Sequence, residues 1–108
     1  MVSNNESIAL TEAVYYILLS LYEPLHGYGV MQKVEGLSSG RVKLAAGTLY
    51  GAISTLLQKG WICALPGDTN SRKKEYEISS IGKSVINNEI NRLRELLTNG
   101  EQIVGGDL

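Results

Sequence analysis

The chain has 108 residues, enough for one domain with one core, and its 44% hydrophobic and 19% charged content is ordinary for a soluble globular protein with no apolar run near the ~18 residues of a spanning helix. One cysteine, Cys63, and one histidine, His26, exclude an intrachain disulfide framework and leave no ligand set for zinc, so neither metal nor other cofactor is expected. The net charge of −1 argues by itself against nucleic acid, but residues 41–83 hold seven Lys/Arg against three Asp/Glu while the rest holds three against eight, so a net +4 segment stands against a net −5 remainder.

Residues 1–9 are polar and read as a flexible N-terminal segment. They lack the basic start of a signal peptide, which with the lone cysteine points to the cytoplasm and no membrane. Thr11 is a suitable N-cap, with Glu12 in the first turn where the helix dipole favours an anion. Val14, Ile17, Leu18 and Leu21 then fall on one helical face, and Pro24 stops the helix. His26-Gly27-Tyr28 opens a second helical segment that runs to about Ser38, with Gly40 as its breaker. Arg41-Val42-Lys43-Leu44 alternates polar and apolar and is expected to be the third strand of a small sheet.

The third helix has the clearest pattern. Leu49, Ala52, Ile53, Leu56 and Leu57 keep helical spacing, and Gly60 lies where a left-handed terminal residue is wanted. Its outward face carries Thr48, Tyr50, Gly51, Ser54, Thr55 and Gln58, and residues 36–67 contain no acidic side chain. Trp61 to Leu65 reads as a strand with Ile62 and Ala64 on one face, and Pro66-Gly67-Asp68 breaks it. On the return strand Lys74, Tyr76 and Ile78 alternate with Lys73, Glu75 and Glu77, so one face is buried. A helix followed by a polar-tipped, basic-edged hairpin is the layout of a helix set in a DNA groove with a wing beside it. The last helix runs from about Ser80 to Asn99, where Gly100 ends it. Ile86, Ile90, Leu93 and Leu97 are spaced 4, 3, 4 on it, a heptad seam whose simplest burial is against a second copy. The fold class is therefore mainly α with a small β-hairpin wing.

The chain resembles the PadR family of bacterial transcriptional regulators over roughly residues 10–97. The resemblance rests on Tyr16-Ile17-Leu18-Leu19-Ser20-Leu21, His26-Gly27-Tyr28, Gly47-Thr48-Leu49-Tyr50, Leu56-Leu57-Gln58-Lys59-Gly60-Trp61-Ile62 and Arg72-Lys73-Lys74-Glu75-Tyr76. It implies a winged helix-turn-helix plus a C-terminal dimerisation helix, in the short form with one helix after the wing. It also implies a homodimeric repressor relieved by a small aromatic or apolar effector. Where many members carry a basic residue in the middle of the recognition helix, this chain has Ser54 and Thr55, so groove affinity leans on the wing and Lys59. The usual Leu-Thr junction is Ile78-Ser79 here. The C-terminal helix has no tryptophan, so a flat-aromatic pocket there is not implied.

The expected organisation is a flexible segment 1–9, a winged DNA-binding domain 10–79, a dimerisation helix 80–99 and a flexible tail 100–108. Expected DNA contacts to a double-stranded operator are Thr48, Tyr50, Ser54, Thr55, Gln58, Lys59, Asn70, Ser71, Arg72, Lys73 and Lys74. For Thr48 the bland alternative is a helix cap, for Tyr50 packing under the wing with a wet hydroxyl, and for the rest a solvated face. Expected dimer contacts are Val14, Ile17, Leu18 and Leu21 with Ile86, Ile90, Leu93 and Leu97. Tyr15, Tyr16 and Tyr22 could line an effector pocket or simply pack. His26 reads as a helix starter rather than a sensor, Cys63 as inert and buried in its strand, and Trp61 as closing the core. A rival reading is a winged protein-interaction module that never touches DNA. An enzyme is not expected: there is no nucleophile–base set or pair of carboxylates, and Gly27-Tyr28-Gly29 has no strand before it.

Overall fold

The computed structural model describes residues 9–66 and 74–105; residues 1–8 of the expected N-terminal segment, the expected wing tip at 67–73 and residues 106–108 of the expected tail lie outside them. Thr11 caps α1 (Glu12–Ser20), its Oγ1 accepting the Val14 N–H at 3.1 Å. After Pro24 comes a two-residue strand, β1 (Leu25–His26), and then α2 (Gly27–Leu37). His26 is the N-cap of α2, with Nδ1 accepting the Gly29 N–H at 3.3 Å, so it starts a helix as the sequence implied. The chain leaves α2 through Ser39 and Gly40, both left-handed, with the Gly40 N–H bonded to Glu35 O at 2.8 Å.

Residues 41–44 are not a strand. Arg41 turns back to α1, placing Nε and Nη2 2.7 and 2.5 Å from Glu12 Oε2, and the Val42 N–H donates to Ser38 Oγ. The third strand is β1 instead. The sheet has the order β1-β3-β2, all antiparallel, with β2 (Ile62–Ala64) and β3 (Glu75–Ile78) as the hairpin. Leu25 pairs with Tyr76, and Ile62, Cys63 and Ala64 pair with Ile78, Glu77 and Tyr76. Tyr76 and Ile78 face inward as their alternation predicts. Ala64 and Cys63 are exposed, against expectation, because the ladder runs on to a Leu65 N–H···O Glu75 bond and carries the hairpin past the edge of the core.

Between the strands and α2 lies α3 (Ala46–Lys59), which ends at Gly60 in the left-handed conformation (φ 77°). Its N-cap is Ala45, which makes no side-chain bond, so Thr48 is not the cap but a first-turn residue with its side chain in solvent. The core joins Ile17 and Leu18 of α1 and Leu21 at its C-cap to Leu49, Ile53 and Leu56 of α3, with the sheet and Ile86 closing it. Full burial of such a side chain contributes about 1.5–3 kcal/mol.

The last helix, α4 (Ser80–Val104), is 25 residues and about 37 Å long. It continues through Gly100, so residues 100–104 are helix rather than tail. An interior glycine costs only about 1 kcal/mol, too little to break an otherwise intact ladder. Its start is closely fitted: Ser79 Oγ accepts the Gly82 N–H and donates to Gly60 O at 2.6 Å, and the Ser79 N–H donates to Trp61 O at 2.9 Å.

Glu89 on α4 is only 4% exposed. Arg92 Nε and Nη2 donate to its two oxygens at 2.8 and 2.6 Å, and the Leu10 N–H reaches it at 3.4 Å. Arg92 holds the carboxyl below its ordinary value of 4.5, against the opposing push of burial. A folded carboxyl more acidic than the unfolded one stabilises fully above that ordinary value, and the contribution is lost as pH falls through the lower folded value. Glu89→Gln is therefore expected to flatten the acid limb of the melting-temperature profile. Wild-type and variant profiles that stay parallel from neutral pH to about pH 3 would exclude this role.

Candidate nucleic-acid interface

The outward side of α3 has a bare centre and two furnished flanks. Gly47, Gly51, Ser54 and Gln58 follow one another at helical spacing along the exposed row, and a methyl added at Gly47 or Gly51 would meet nothing within 4 Å. Nothing inside the chain requires glycine there, and each costs the helix about 0.5–1 kcal/mol relative to alanine. Gly47, Gly51 and Ser54 leave the N-terminal part of this row with little side-chain bulk, which lets another surface approach the helix backbone closely there.

On one flank Tyr50 lies against the first residue of α2. A Cβ at Gly27 would overlap the Tyr50 hydroxyl and lie 2.5 Å from Cζ, so the two motifs His26-Gly27-Tyr28 and Gly47-Thr48-Leu49-Tyr50 meet in space. The Tyr50 ring is packed on one side, against Gly27 of α2, and the residue is 49% exposed. Burial, and then Tyr50 itself, raise the Tyr76 phenol above its ordinary 10.0. Tyr28, one residue past Gly27, is 62% exposed and was not among the contacts expected from the sequence.

The other flank carries Thr48, Thr55 and Lys59, all exposed. Lys59 Nζ stands 5.1 Å from the Trp61 ring centroid. Lys74 is exposed at the foot of β3, while Asn70, Ser71, Arg72 and Lys73 lie outside the described residues. Arg41 is engaged by Glu12, which raises its pKa further, and is not part of this face.

The expected dimer residues divide. Ile17, Leu18, Leu21 and Ile86 are sealed in the protomer's own core and leave nothing for a partner. Val14 and Ile90 are half-buried against that core. Leu93 and Leu97 are 40% and 61% exposed, and Leu96, Ile103 and Val104 extend the apolar surface to the end of α4. The three tyrosines also part company. Tyr15 lines a 290 Å³ cleft with Ile90, Leu93, Arg94 and Leu97, Tyr16 lies beside Arg41, and Tyr22 sits under Lys83 Nζ at 5.6 Å.

A family model described as the transcriptional regulator PadR-like family matches residues 16–88. The chain belongs to that family. Membership makes it a transcriptional regulator and not an enzyme. Although β1 does precede Gly27-Tyr28-Gly29, it is a two-residue antiparallel strand, not the parallel strand of a nucleotide-binding unit.

Solved PadR-type structures share the winged-helix fold. A PadR family regulator from Clostridium difficile is 19% identical, with a TM-score of 0.71 over 88% of this chain and 100% of that one. A transcriptional regulator from Clostridium thermocellum is 17% identical, at 0.69 over 87% and 90%. A PadR-like transcription factor from Bacteroides fragilis is 22% identical, at 0.68 over 84% and 87%. No curated protein matches the chain in sequence. The matched span runs from α1 to the first turns of α4, so the overhanging apolar end of α4 lies beyond it. Among the described residues there is no group of metal ligands, and no helix is long and apolar enough to cross a membrane.

Proposed function

We propose that this PadR-family regulator is a cytoplasmic homodimeric repressor that binds double-stranded operator DNA and is released by a small aromatic or apolar effector. The observation that carries the DNA reading is the bare row of Gly47, Gly51 and Ser54, continued by the polar Gln58, on a helix in a 32-residue stretch, residues 36–67, without one acidic side chain. The row would let α3 sit deep in a major groove, with Tyr28 and Tyr50 on one side and Thr48, Thr55 and Lys59 on the other. Lys74 and the wing residues Asn70, Ser71, Arg72 and Lys73 would hold the flanking phosphates. Few charged groups face the bases, so groove shape would contribute to specificity.

The exposed apolar end of α4 supports the dimer. Residues 10–79 then form the reading domain and α4 the seam, and two copies of α3 would enter successive major grooves about 34 Å apart.

The test is fluorescence anisotropy on DNA from just upstream of the protein's own gene, beside a scrambled duplex, at several salt concentrations. Three or four phosphates per half-site give an expected log–log slope of about −5 to −7, and Lys74→Gln should reduce its magnitude by about 2, one for each protomer. A nearly salt-independent affinity would sink the mechanism. Neutralising Arg72 and Lys73 separates the rival interaction module, which would keep its binding.

A further inference from the structure

A cleft of 320 Å³ opens between the start of α1 and the Thr55–Lys59 flank of α3. Its walls are apolar, made by Leu10, Val14, Ala52 and Leu56, and Trp61 lines it as well. Lys59 also lines it, with its ammonium over the Trp61 ring, and among the described residues no carboxylate pairs with that cation. An apolar cleft with one cation beside an aromatic face matches a ligand with an apolar body and a single anionic group. We infer that this cleft binds a small apolar monocarboxylate, whose carboxylate pairs with Lys59 while its body lies on Ala52, Leu56 and Trp61.

The inference rests on the DNA reading for its consequence, since it places the effector on the flank of the reading helix and away from the tyrosines of α1. A carboxylate on Lys59 removes a positive charge from the groove-facing helix and engages the flank that carries Thr55. Ligand and DNA would then oppose each other, and by linkage DNA would weaken the ligand by the same factor.

Trp61 is the only tryptophan, so its fluorescence reports the cleft without any DNA present. Cyclohexylacetate and octanoate are the probes, each beside its uncharged amide, in titrations reaching millimolar concentration. The expected result is a saturable Trp61 response, about tenfold weaker for the amides. In Lys59→Gln the acid-over-amide preference should vanish while the apolar contribution remains. In Ala52→Leu, which fills the cleft while leaving Lys59 in place, the response to both acid and amide should be lost, with the fold checked by circular dichroism. With operator DNA, saturating carboxylate should raise Kd about fivefold or more. Equal binding of acid and amide, or no response to either probe, overturns the proposal. So does a Trp61 signal that shifts on dilution of the protein alone and ignores carboxylates, which assigns the cleft to a second copy. If the carboxylates bind with the expected preference but leave DNA affinity unchanged, the site stands and its coupling to the reading helix is refuted. If no DNA binds at all, the titration still decides the site.

Discussion

Gly82→Ala should destabilise the protein by about 2–3 kcal/mol, a fall in melting temperature of about 10–20 °C for a domain of this size. The sign is opposite to what helix propensity alone gives, since alanine is favoured over glycine by about 1 kcal/mol within a helix. The difference lies in what the added methyl meets. It would overlap the Trp61 carbonyl oxygen and lie 2.7 Å from Ile78 Cγ1. The carbonyl is backbone and already accepts the Ser79 N–H, so it cannot move aside without breaking the root of the hairpin. Gly36→Ala is the control: nothing lies within 4 Å of that Cβ, and a gain of up to about 1 kcal/mol is expected. Thermal or urea unfolding of the two variants decides the point. A Gly82→Ala protein as stable as wild type would show that α4 does not start against the strand.

The second large effect is on assembly. If the protein dimerises through α4 as proposed, Leu93→Glu combined with Leu97→Glu should give a folded monomer, because both side chains are exposed and lie outside the buried core. Losing the second half-site contact should weaken operator binding about 10²-fold or more. Light scattering and circular dichroism on the same sample check both halves of the expectation. A double variant that stays dimeric would move the interface off the end of α4.

What was legible in the sequence was what local chemistry decides. Leu49, Ile53 and Leu56 with Gly60 at their end were enough for α3, and Tyr76 with Ile78 gave the inward face of β3. The third strand was not legible, because two residues after Pro24 become a strand only when β3, some fifty residues on, lies beside them. Arg41-Val42-Lys43-Leu44 had the better alternation, but Arg41 found Glu12. The seam on α4 was legible as a stripe but not in its division. Heptad spacing treats Ile86 and Leu97 alike, and only the extent of the domain beneath them sets one inside and the other in solvent. The candidate DNA face was legible by residue type, while its organisation was not: Gly27 and Tyr50 are an adjoining pair only in space.

The junction at Ser79 has a mechanical consequence. Gly60, the C-cap of α3, and Ser79, the N-cap of α4, are joined by a 2.6 Å hydrogen bond, and Gly82 is wedged against the Trp61 carbonyl. The bend between α3 and α4 is thus a constant of the protomer, like the fixed elbow of one leg of a pair of calipers. In any assembly built through α4, the gap between two reading helices would depend on the crossing of the two α4 rods and on little else. A slight scissoring at that crossing would open or close the gap and change which spacing of half-sites the pair can span.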